Sequence, residues 1–169
     1  MSTLIIGVGG AGCSLVGGMP SSSNHKLIAV SSDADAIKSV GAEAKLLIEE
    51  GLQELAVEAQ AELRSLMSGY KKLQVLVGLG GGTASCIAGH IATLGYDMRL
   101  NTSLVTILPF SIEGERRNIA LKAMDQFVDA PFQVRRLDND LLLPPDHTGT
   151  LLDAIEVINR NIISEVSAA

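Results

Sequence analysis

Two glycine-rich turns hold most of the chemistry in this chain of 169 residues. The first, Gly7-Val8-Gly9-Gly10-Ala11-Gly12, satisfies GxGxxG. Glycines at such a turn let a phosphate approach bare backbone, and a helix opening there adds free N–H groups and a partial positive charge. Asp33 stands about twenty residues further on, where a dinucleotide-binding unit places its ribose carboxylate. Taken alone, this turn favours NAD. The second turn is Gly78-Leu79-Gly80-Gly81-Gly82-Thr83. Consecutive glycines cost backbone entropy at each position, which suggests a ligand pressed against the chain. The Thr83 hydroxyl could serve a phosphate or a magnesium ion. No Lys-Ser or Lys-Thr follows, so this is not a Walker A loop. An NAD fold needs no second cradle. Two of them, at the ends of adjacent strands, point to a nucleotide with a longer phosphate chain. The plain alternative is tight strand–helix packing with no ligand.

The elements that must position these turns are legible from periodicity. Leu4 to Val8, Lys26 to Ser31, Leu73 to Val77 and Ser103 to Leu108 are short apolar runs rich in β-branched residues, as strands buried on both faces should be. Phe132 to Leu137 is a weaker fifth. Leu52, Leu55, Ala59, Leu63 and Leu66 recur at helical spacing, with Glu54, Glu58 and Glu62 on another face. Ala84 to Leu94 predicts a largely buried helix and Glu115 to Val128 an amphipathic one. Asp146 to Val166 predicts a last helix with Leu151, Leu152, Ile155, Ile158, Ile162 and Val166 as one stripe. Strands alternating with helices predict an α/β fold, a mostly parallel sheet in three layers with helices on both faces. The length fits one domain over residues 1–169.

Composition narrows the function. Hydrophobic residues make up 47 % and the formal net charge is −6. Such a chain can build a core but lacks the basic surface that general nucleic-acid binding needs. The uncharged stretches at 1–24 and 73–96 are broken by glycines, so they are expected to be strands running into turns rather than membrane spans. With no targeting signal, the expected location is cytoplasmic. Cys13 and Cys86 flank the two glycine turns. They are expected to be two small buried thiols, with an approach between them left open. His25, His90 and His147 show no metal-ligand spacing, so no metal site is expected in the protein itself.

The fourth strand runs into Pro109-Phe110-Ser111-Ile112-Glu113-Gly114-Glu115-Arg116-Arg117. With that segment in place, the chain resembles the nucleotide-binding half of FtsZ, in the tubulin superfamily. That family orders a glycine-rich first loop, a GGGTGTG loop, PF-x-x-EG-x-x-R, a PND-like turn and a helix beginning LLDAF. Here GVGGAG stands at Gly7, GGGT at Gly80, PFSIEGERR at Pro109, DND at Asp138 and LLDAI at Leu151. The resemblance implies a Rossmann-like nucleotide-binding domain that takes GTP or GDP, with Mg2+ for the triphosphate. It places Gly9, Gly10, Ala11 and Gly12, and Gly80, Gly81, Gly82 and Thr83, against the phosphates. Glu113 and Arg117 would reach the ribose and the nucleotide's edge. Asn159 would read guanine from the last helix.

Several positions depart from the pattern. Ala84 and Cys86 stand where the signature has glycines, and Ser14 where an Asn is usual. Ile155 replaces the aromatic that stacks on guanine. Ile37 to Leu52 lacks the glycine-rich γ-phosphate loop, with Gly41-Ala42-Glu43 as the nearest remnant. No NxDxxD occurs, and the expectation is a chain without the second domain and its catalytic loop. Such a chain would be at most a weak GTPase that needs a partner to complete the site. Its expected role is to modulate a cytoskeletal or cell-division filament by protein contact, with a full-length FtsZ-like relative or with itself as a dimer, and with neither nucleic acid nor membrane. The alternatives are a nucleotide-free interaction module and an NAD(P)-binding protein.

Overall fold

The apolar runs pair side by side, as their burial on both faces demands. In the computed structural model, which describes residues 2–168, six parallel strands form one sheet: β1 (Thr3–Val8), β2 (His25–Ser31), β3 (Ala44–Leu47), β4 (Lys72–Gly78), β5 (Asn101–Leu108) and β6 (Gln133–Asp138). Their order across the sheet is β3-β2-β1-β4-β5-β6. The chain therefore winds outward in both directions from β1 and β4, the doubly wound arrangement of Rossmann-like folds.

Alternation along the strands divides the core in two. Leu4, Ile6 and Val8 of β1 point to the face covered by α3 (Val57–Met67), α4 (Gly82–Asp97) and α5 (Glu115–Met124). Ile5 points to the other face, under α1 (Gly9–Gly18) and α7 (Leu151–Ala168), with the short α2 (Ala34–Ser39) on the same side. This is the three-layer α/β fold expected from the sequence.

Several local features differ from expectation. Strand β3, helix α2 and the four-residue α6 (Asn139–Leu142) are not expected from the periodicity. Helix α3 begins at Val57, so Leu52 and Leu55 lie in the preceding connection rather than on its face. Helix α7 begins at Leu151 because Thr150 and Asp153 close a reciprocal cap there. The Thr150 N–H and hydroxyl donate to Asp153 Oδ2, each at 2.8 Å, and the Asp153 N–H donates back to Thr150 Oγ1. Those bonds hold the Asp153 carboxyl below the usual carboxylate range. The buried stripe of α7 is Ala154, Ile158, Ile162 and Val166, four residues apart, which leaves Leu151 and Leu152 outside it and exposed.

Candidate functional site

In an open parallel sheet, ligands bind beyond the carboxyl ends of the strands, at the point where the winding reverses. Here that point lies between β1 and β4, and both glycine turns end there. The glycines divide by what a side chain would meet. A Cβ on Gly7 would strike the Gly12 carbonyl, and one on Gly12 the Leu76 carbonyl. A Cβ on Gly78 would come within 2.5 Å of the Ala11 Cβ. These three let α1 press against the sheet. Gly9 (φ +73°) and Gly80 (φ +110°) adopt backbone that favours glycine, and their missing side chains admit Ala84 and Arg116. Gly10, Gly81 and Gly82 are different. A Cβ on any of them would meet nothing within 4 Å, and none has a positive φ. Neither packing nor backbone geometry asks for glycine at these positions.

The two helix starts are alike. Neither α1 nor α4 has a side-chain cap, and neither carries an acid in its first turn. By contrast, Asp33 caps α2, with Oδ1 accepting from the Asp35 and Ala36 N–H groups at 3.0 Å. One carboxylate oxygen of the residue that a dinucleotide reading requires is thus taken up by its own helix. Thr83 is also engaged. Its Oγ1 accepts from the Gly51 N–H at 2.9 Å, which ties the β3–α3 connection to the start of α4. Gly41, the nearest sequence remnant of a phosphate loop, lies instead beside Gly17 at the far end of α1, and Glu43 accepts from the Leu27 N–H at 2.7 Å.

A cavity of about 260 Å³ opens at the reversal point. Gly10, Ala11 and Gly78 form its backbone side, Leu15, Leu79, Ile107 and Ile158 its apolar wall, and Ser14, Asn139 and Asn159 its polar end. The Asn139 Oδ1 atom is buried with no hydrogen-bond partner. A buried unpaired amide oxygen costs about 1–3 kcal/mol, unless something that enters the cavity pairs it. Among the sequence candidates, Gly10, Ala11, Glu113 and Asn159 line the cavity. Gly9 and Gly12 shape the first turn, while Gly80, Gly81, Gly82 and Thr83 form the second beside it.

Arg117 does not line the cavity. It forks onto Asp138 with two bonds of 2.8 Å and donates to the Pro109 carbonyl at 2.6 Å. Asp138 and Arg117 hold each other charged: the guanidinium pulls the carboxyl below its usual range, and the carboxylate raises the arginine. The clamp joins the end of β5 to β6. Arg116, the more exposed of the two, borders the cavity instead, 3.1 Å from Glu113 Oε1, while Glu113 Oε2 accepts from the Phe110 N–H at 2.7 Å. Asn139 was missed as a site residue. Its signal was the DND turn, in which Asp138 caps α6 through the Asp140 N–H.

No model of a protein family matches the chain. Among curated proteins, "Cell division protein FtsZ 1" of Pyrococcus furiosus is 35 % identical over 158 residues, covering 82 % of this chain and 42 % of that protein. Among solved structures, the empty FtsZ dimer of M. jannaschii superposes with a TM-score of 0.82 over 98 % of this chain and 53 % of its own, at 23 % identity. The CetZ2 protofilament of Haloferax volcanii, bound to GTPgS, gives 0.78 over 98 % and 57 %, also at 23 %. The chain belongs to the FtsZ/tubulin superfamily. It spans less than half the length of the curated FtsZ relatives it matches.

Within this FtsZ-like fold the two cysteines lie far apart in the layers. Cys13 is buried under α2 and donates toward the Gly7 and Val30 carbonyls, and burial pushes its thiol up to about 11. Cys86 faces a larger cavity of about 570 Å³ on the opposite side of the sheet, along the outer stripe of α4, which neither glycine turn lines. The two thiols thus lie on opposite sides of the sheet and do not approach each other. The buried, protonated Cys13 thiol is therefore a poor nucleophile. Alkylation of the native protein is expected to label Cys86 alone, with Cys13 reacting only after denaturation. Mass spectrometry of the labelled peptides checks this. Among the described residues no three His, Cys, Asp or Glu side chains could hold a metal ion, and no helix is long and apolar enough to cross a membrane.

Proposed function

We propose that this FtsZ-like chain binds a guanine nucleotide, GTP or GDP, at the reversal point between β1 and β4, and serves a cytoskeletal, cell-division role in the cytoplasm. The observation that carries this reading is the bare backbone at Gly10, Gly81 and Gly82, open toward the site with no packing reason to be glycine. The uncapped starts of α1 and α4 supply N–H groups for phosphate oxygens. Asn159 lines the cavity, and its amide offers both an acceptor and a donor to a base edge. Magnesium would enter with the triphosphate. The CetZ2 neighbour, a protofilament with GTPgS bound, supports the same reading.

Binding rather than catalysis is the role proposed for these residues. Glu113 is the one carboxylate in the cavity lining, and both its oxygens are already bonded, to the Arg116 guanidinium and the Phe110 N–H. A general base is worth about 10²–10⁴-fold, and the lining offers none that is free. Asn159→Ala is expected to weaken GTP at least tenfold and ATP far less, as titration calorimetry would show. Equal losses would remove the base-reading role.

Protein contact is the second half of the proposal. Ile112 and Leu141 are 86 % and 85 % exposed, and the Ser111 N–H donates to Asp140 beside them. With Leu151 and Leu152 they place apolar surface on the elements that bound the cavity mouth, surface that a partner would cover. The partner proposed is a full-length FtsZ-like relative or a second copy of this chain. An Ile112→Asp, Leu141→Asp double variant is expected to lose co-sedimentation with FtsZ filaments while keeping its nucleotide affinity. Unchanged co-sedimentation would move the contact to another surface.

A further inference from the structure

The β3–α3 connection folds back to leave a groove of about 410 Å³ that the nucleotide reading does not use. Leu46, Leu52, Leu55 and Ala59 make its floor, and Leu47 stands 55 % exposed at its mouth. Its rim carries Glu49, Glu54, Glu58 and Glu62, and no Lys, Arg or His lines it. Among the described residues none of these four carboxylates forms an ion pair. Covering the floor with a purely apolar partner would strip water from unpaired carboxylates at a heavy cost. Whatever fills the groove must bring cations with its aliphatic groups.

We propose that this groove receives a basic amphipathic helix of another protein. Charge disfavours the other occupants. Anionic lipid and nucleic acid are repelled by the rim. A second copy carries net charge −6 and is opposed overall by the same acidic rim. A helix fits better than an added strand. Strand β3 is a four-residue sheet edge with Lys45 at its centre, and short charged edges resist strand addition. Glu58 and Glu62 sit four residues apart on α3, and Glu54 stands in the connection that precedes it. Four helical residues rise about 6 Å, so a neighbouring helix with Lys or Arg at the same spacing meets the two α3 carboxylates one to one.

The test uses the full chain and a synthetic 18-residue helical peptide with a leucine face flanked by lysines every fourth residue. Its control is the same peptide with glutamates in place of the lysines. The expected result is saturable binding of the lysine peptide, with amide chemical-shift changes confined to residues 46–62, and no binding of the control. Binding should weaken at least tenfold in a Glu58→Lys, Glu62→Lys double variant whose melting temperature is unchanged. Should that variant fold poorly, Glu54→Gln with Glu58→Gln, which adds no charge, should still weaken binding severalfold. The proposal is overturned if the lysine peptide does not bind, if it shifts other residues instead, if both peptides bind alike, or if the folded charge variants bind as the wild type does.

Discussion

Giving a side chain to Gly10, Gly81 or Gly82 is expected to weaken nucleotide binding at least tenfold while leaving the fold as stable as before, or more so. A methyl group at these positions meets no protein atom within 4 Å and no strained φ. Gly10 and Gly82 lie in the first turns of α1 and α4, where Ala is the better helix former. Gly→Ala at a compatible site stabilises by about 0.4–1 kcal/mol, chiefly by restricting the unfolded chain. The same methyl group holds a phosphate oxygen away from the backbone N–H groups. Each charge-assisted hydrogen bond lost costs about 1.5–3 kcal/mol, so affinity should fall at least tenfold per substitution. Melting and titration calorimetry on the same Gly10→Ala and Gly82→Ala samples check both halves. A variant that melts normally and binds normally would show that the bare backbone has no ligand to serve.

The opposite behaviour is expected at Gly7 and Gly12. There a Cβ runs into main-chain carbonyls, of Gly12 and Leu76 respectively, which have no rotamer through which to escape. Overpacking against side chains costs about 1–3 kcal/mol, and against backbone it should reach or exceed the top of that range. Three kcal/mol is a large part of the 5–15 kcal/mol that holds a typical domain together. Gly7→Ala and Gly12→Ala should therefore lower the melting temperature by about 10 °C or fail to give soluble protein. Any loss of nucleotide binding in these variants would follow from the fold rather than from the cradle. Urea unfolding separates the two groups of glycines, and near-wild-type stability for Gly12→Ala would refute the packing role.

That division among glycines marks where sequence reading stops. The two turns were legible because their spacing and position after apolar runs are local facts. Which glycine faces carbonyl and which faces open space depends on neighbours brought in by the fold, such as Leu76 for Gly12. Arg116 and Arg117 show the same limit. Adjacent residues on a helix point in different directions: Asp138, on β6, holds the more buried Arg117, and the exposed Arg116 borders the cavity. Strands β1, β2, β4 and β5 announced themselves as continuous apolar runs because both their faces are covered. Strand β3 is short, edge-placed and half exposed, so its pattern is diluted by Lys45 and Leu47. Helices α2 and α6 rest on single capping aspartates, Asp33 and Asp138, a signal too local to separate from a turn. The motif order from Gly7 to Leu151 still pointed to the right superfamily, since five ordered segments constrain more than any one of them.

The central claim is that the reversal point between β1 and β4 holds a guanine nucleotide. The most direct test is titration calorimetry of the purified chain, stripped of bound nucleotide, with GDP, ADP and NAD in parallel. The account predicts saturable one-to-one binding of GDP, at least tenfold weaker binding of ADP, and no preference for NAD. Absence of GDP binding at millimolar concentration, or NAD binding more tightly than GDP, would contradict it.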